Sequence, residues 1–147
     1  MGLFSEMLGK NSIPTKLNNQ ESILGLIFSV IAIDGDISDE EVDDVISISK
    51  KSKILKDMQG SQFNAALDKI IKILTRDGID SLIDLSIEGL SAEYREGAFA
   101  VCCDLVFSDG YIENEEELFL ETLKSKLSIN DNLAMQIVEV MSLKNSI

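Results

Sequence analysis

The sequence predicts an all-α protein, and three observations carry that prediction. Apolar residues recur at helical spacing, and no stretch alternates with period two for long enough to build a sheet. One proline and nine glycines among 147 residues leave long uninterrupted runs, in a chain rich in Leu, Ile, Glu, Asp and Lys with 5% aromatics. An apolar fraction of 45%, with a positive mean hydropathy, supplies a core and argues against disorder. The length suits one domain over residues 1–147 and is short for two.

The elements follow in order. MGLFSEMLGK carries Leu3, Phe4, Met7 and Leu8 as a stripe, which predicts a short amphipathic arm over residues 1–12 docked on the protein's own core. It has no basic n-region or signal-peptide core, and Glu6 stands where N-myristoylation requires Ser or Thr. The longest apolar run, ILGLIFSVIAI at 23–33, falls short of the roughly 20 residues that cross a bilayer and reads as a buried helix over 19–33. Asp34-Gly35 ends it. Ser38 opens the next helix as N-cap of a Ser-x-x-Glu capping box with Glu41. That helix runs to about residue 49, with Lys50, Lys51 and Lys53 near the end that favours cations. A third helix starts at Gly60-Ser61 and ends at Asp77-Gly78, and a shorter one covers about 80–89. Ser91 caps a helix bearing Phe99, Val101, Leu105 and Val106 up to Asp109-Gly110. The last two span about 114–127 and 131–143.

An internal repeat organises these pieces. Shifted by 75 residues, DGDISDEE (34–41) lies on DGYIENEE (109–116), matching Asp34 with Asp109, Gly35 with Gly110, Ile37 with Ile112 and Glu41 with Glu116. The apolar run 23–33 faces 98–108, and Lys51 and Ile54 meet Lys126 and Ile129. Ser38 falls on Glu113, so the second copy lacks the same capping box. Two helical halves related by a pseudo-twofold are therefore expected, with repeats over about 20–56 and 95–131.

Each copy matches the second half of an EF-hand loop, with Glu41 or Glu116 at its twelfth position. The first half is missing. Positions 1 and 3 are Val30 and Ala32 in one copy and Leu105 and Phe107 in the other, so independent EF-hand sites are rejected. Helix dipoles and a glycine C-cap explain much of each corner without a ligand. They leave the charge density unexplained: seven acids and no base over residues 34–44, and eight acids and no base over 96–121. Two such runs brought together repel, and a cation between them would relieve the repulsion.

Thirteen basic and 26 acidic residues give a net charge of −13, which excludes nucleic acid and favours cations or basic protein surfaces. The adjacent Cys102 and Cys103 point about 100° apart on a helix, too divergent to bridge, and are expected to pack as small apolar residues in a reducing cytoplasm. With no histidine and no third cysteine, a soft-metal site has little support.

Two apolar helices ending in (A/S)-x-DG-x-I-x-x-x-E, in a chain of this length, resemble the TerB-like tellurite-resistance family, whose superfamily includes the N-terminal domain of DjlA-type co-chaperones. The resemblance covers residues 20–143 and implies a bundle of about seven to nine helices. It further implies a cytoplasmic stress-response role without catalysis, and a metal site built from acids of both halves. By position these are Asp34, Glu41, Asp109 and Glu116, with Asp104 as a further, asymmetric candidate because its counterpart is Ser29. An all-oxygen set suits one hard divalent cation: Ca²⁺, Mg²⁺ or Mn²⁺. The expected partners are proteins, membrane-associated ones included, with no insertion into the bilayer. The alternative is a structural or interaction module whose acidic face docks a basic partner without metal. A carboxylate hydrolase is the weakest reading, since acid–base work needs paired groups with separated pKa values in a pocket.

Overall fold

A computed structural model describes residues 15–33, 37–108, 110 and 112–147. The proposed arm over residues 1–12, and the corner residues Asp34 and Asp109, lie outside the described residues. The described residues form seven helices: α1 (Asn19–Ala32), α2 (Asp39–Lys51), α3 (Gly60–Asp77), α4 (Ile79–Gly89), α5 (Ala92–Phe107), α6 (Asn114–Lys126) and α7 (Asp131–Lys144). There is no strand among the described residues, and no described helix is long and apolar enough to cross a membrane.

Helix α1 is the centre of the bundle because its sequence lacks a polar face. Nine consecutive residues, Ser22 to Val30, are buried, and α3, α4 and α5 pack around it. Its start is fixed by a feature that the sequence reading missed. Asn18 accepts from the Glu21 amide at 2.8 Å while its own amide donates to the Glu21 carboxylate at 2.9 Å, a complete capping box. Helix α5 is the second hub and carries α6 and α7 as well as contacting α1. Phe28 of α1 and Phe99 of α5 are the largest of the fully buried side chains.

The repeat is residue-exact at the ends of its first helices and over the whole of its second helices, although α5 starts at Ala92, two residues before the counterpart of Asn19. Helices α1 and α5 end at Ala32 and Phe107, and α2 and α6 run from Asp39 to Lys51 and from Asn114 to Lys126, each pair offset by the same 75 positions. The N-cap residues share one backbone conformation: φ −85°, ψ 161° at Ser38 and φ −84°, ψ 162° at Glu113. The copies diverge after their second helix. Ser52 leaves α2 extended, with φ −77° and ψ 128°, and the chain wanders through residues 52–59 before α3. At the end of α6, Ser128 turns left-handed at φ 58°, and Ile129 and Ser128 donate to the Lys124 and Ser125 carbonyls at 3.0 and 3.1 Å. That Schellman turn delivers the chain straight into α7.

One predicted cap takes a different form. Ser91 precedes α5 with extended backbone, but its side chain makes no cap hydrogen bond. Its amide donates to Asn19 Oδ1 at 2.7 Å and its hydroxyl accepts from Asn19 Nδ2 at 3.0 Å. A residue expected to cap locally instead ties the start of α5 to the start of α1. Both cysteines are free and buried, as expected of small apolar residues.

Candidate functional site: a carboxylate cleft between the repeats

Helices α2 and α6 begin with the same device. Glu41, third residue of α2, accepts from the Ser38 amide at 3.1 Å and the Ser38 hydroxyl at 3.0 Å; the hydroxyl in turn accepts from the Glu41 amide at 3.1 Å. Glu116, third residue of α6, accepts from the Glu113 amide at 3.2 Å. The second copy therefore keeps the carboxylate half of the capping box that its sequence seemed to lack. This supplies one physical reason for a glutamate at the same offset in both repeats. The corner behind α6 also needs its glycine, because Gly110 adopts φ 89°, a conformation that side chains resist.

Folding brings the two glutamates to one place. A cleft of about 120 Å³ is lined by Val30 and Ile31 of α1, Glu41 and Asp44 of α2, Leu105 of α5, Ser108, and Glu116 of α6. Val30 and Leu105 are counterparts in the repeat, as are Glu41 and Glu116, so the cleft straddles the relation between the halves. The symmetry stops at Asp44, whose counterpart is the buried Phe119. Asp44 and Ser108 were not chosen from the sequence. Asp44 was legible, since it stands one helical turn from Glu41 and shares its face. Ser108 was not, because only the packing of α5 against α1 aims that helix end at the cleft.

Among the described residues, the lining holds three carboxylates and no base. Two helix N-termini converge there, and their partial positive charge offsets part of the mutual repulsion. Carboxylates, a hydroxyl and backbone carbonyls are oxygen donors, which fit a hard cation and not a soft one. Among the described residues, no three Asp, Glu, Cys or His side chains gather closely enough to hold an ion by themselves. A full set of ligands there would draw on other donors as well.

Asp104 is occupied differently. Its carboxylate accepts from Lys144 at 2.9 and 3.0 Å and from Asn145 at 2.8 Å, fastening the end of α7 to α5, and it is not among the residues lining the cleft. Partial burial pushes its carboxyl up, while the Asn145 and Lys144 hydrogen bonds and the Lys144 charge more than reverse this and hold it below the ordinary aspartate value. A wider cleft of about 480 Å³, between α1, residues 52–54 and α5, is mostly apolar and contains none of the predicted site residues.

No protein-family model, curated protein or solved structure matches the chain.

Proposed function

We infer that the chain is a TerB-like, non-enzymatic module of a cytoplasmic stress response, binding one hard divalent cation through acids of both repeats. One observation carries the reading: Glu41 and Glu116, counterparts in the repeat, line the same cleft. In this reading they hold the cation, with Asp44 beside them and Asp34 and Asp109 contributing from the corners. The cation would neutralise carboxylates that otherwise repel and would tie the two halves together. The stress-response role rests on the resemblance of the doubled corner motif to the TerB-like family.

The test separates charge from capping. Glutamine at the third helical position still accepts from the N-cap amide, so Glu41→Gln and Glu116→Gln keep the cap while removing the charge. EDTA-stripped protein is melted alone and with millimolar Ca²⁺, Mg²⁺ or Mn²⁺ at fixed ionic strength. A cation at about 100 times its Kd stabilises by roughly 2.7 kcal/mol, a rise of several degrees that both glutamine variants should abolish. No rise beyond the salt control defeats the cation reading.

The second reading, an acidic docking face for a basic partner without metal, is favoured by the capping bonds themselves. They give both glutamates a structural task that needs no ion.

A further inference from the structure

Against a net charge of −13, residues 50–56 carry four lysines and no acid. Lys50, Lys51, Lys53 and Lys56 are exposed, and none of them forms an ion pair among the described residues. The macrodipole accounts for Lys50 and Lys51, in the last turn of α2, but not for Lys53 and Lys56 beyond it. Two of these lysines, Lys50 and Lys56, line an apolar cleft of about 180 Å³ between α2 and α3 together with Ile46, Leu55, Met58 and Phe63, and no acid is among its described lining residues. A cleft of that composition is complementary to an apolar side chain set among carboxylates.

The chain carries such a group. Leu118 of α6 is 62% exposed, and Glu115, Glu117 and Glu121 around it are exposed too. Leu118 shares a helix face with Glu115 and Glu121, three residues to either side. The two surfaces lie on different elements: α6 packs on α5, whereas the cleft is made by α2, α3 and the segment between them. One molecule thus presents both halves of a complementary pair on separate parts of its surface.

We propose that the protein self-associates head to tail, with the Leu118 face of α6 on one copy seated in the lysine-edged cleft between α2 and α3 of the next. Such an interface is heterologous and builds rings or open chains, not a twofold dimer. Overall like charge opposes it, so the contact is weak and short-lived, and local charge complementarity decides its register. It is independent of whether the carboxylate cleft binds a cation.

The test is sedimentation velocity of the whole chain, in EDTA at about 0.1 M salt, over a concentration series reaching about 1 mM, the range of a weak contact. The average mass should rise with concentration beyond that of a dimer. Lys50→Glu with Lys56→Glu, and separately Leu118→Ser, should each weaken association about tenfold or more, the effect of losing roughly 1.4 kcal/mol. A mixture of the two variants should form 1:1 pairs that grow no further, because each retains one intact half. A monomer throughout the series overturns the proposal. So does association that both variants leave unchanged, which would place the contact elsewhere, for instance on the exposed Val140 and Leu143 of α7.

Discussion

Gly25 of α1 lies so close to Ser86 of α4 that a Cβ on the glycine would stand 2.2 Å from the serine hydroxyl. Helices α1 and α4 therefore meet through small residues. The approach continues at the far end of α4, where a Cβ on Gly89 would stand 2.2 Å from the Leu17 carbonyl oxygen. The Ser86 and Ser22 hydroxyls in this seam are fully buried and have no hydrogen-bond partner among the described residues. That is a cost accepted for close packing.

The two glycines should respond differently to alanine. At Gly25 the main obstacle is a hydroxyl that can be deleted, so Gly25→Ala should destabilise by about 1–3 kcal/mol and Ser86→Ala should recover much of that loss. At Gly89 the nearest obstacle is the Leu17 backbone, with the Ser22 hydroxyl next at 2.5 Å, so Gly89→Ala should have no such rescue at position 86. Urea melts of the singles and doubles measure this. A Gly25→Ala loss indifferent to residue 86 would show that the contact is not the cause.

Ser128 holds a left-handed conformation, φ 58°, at the turn from α6 into α7. Such a position favours glycine, and strain there costs about 1–3 kcal/mol. Ser128→Gly should therefore stabilise the protein by up to about 1 kcal/mol, part of the relief being cancelled by the freer unfolded chain. Thermal melts suffice, and a lowered Tm would mean that the serine side chain contributes more than its backbone costs.

Burial pushes both cysteine thiols up, Cys103 to about 12, helped secondarily by the charge of Cys103 at Cys102 and of Asp104 at Cys103. In the unfolded chain both ionise near about 8.5. Between those values the unfolded state releases protons that the folded state keeps, so stability should fall as pH rises through that window and be unaffected by these groups below it. Aromatic disulfide reagents should react with neither thiol in the folded protein and with both in denaturant. Rapid reaction of the native protein would contradict their burial at 1% and 0% exposure.

Asp104 works in the opposite direction. Its depressed pKa stabilises the fold above the unfolded aspartate value of about 3.9, and that contribution is lost as pH falls through the folded value. Because its side chain is 36% exposed, solvent screens the Lys144 pair, and Lys144→Met should cost less than about 1 kcal/mol at neutral pH. Proton NMR titration of the Asp104 carboxyl in the two proteins checks the direction: the pKa should rise in Lys144→Met.

Much of this architecture was legible in the residues alone. The helix ends at Asp77-Gly78, the Ser38–Glu41 box and the spans of α2, α4, α6 and α7 follow from local rules: glycine's conformational freedom, side-chain capping and the 3.6-residue period. The 75-residue repeat needed only alignment of the chain with itself, and the ends of α1 and α5 and both boundaries of α2 and α6 obey it. These features involve neighbours in sequence, so the sequence by itself determined them. What it could not determine is which distant surfaces meet. Ser91 met Asn19 instead of capping its own helix, Asp104 met Lys144 and Asn145, and Asp44 with Ser108 joined the two glutamates at one cleft. Those choices come from the packing of α1 and α5 against their neighbours. Burial is non-directional, so a local pattern says that a face is covered and only the tertiary structure decides by what.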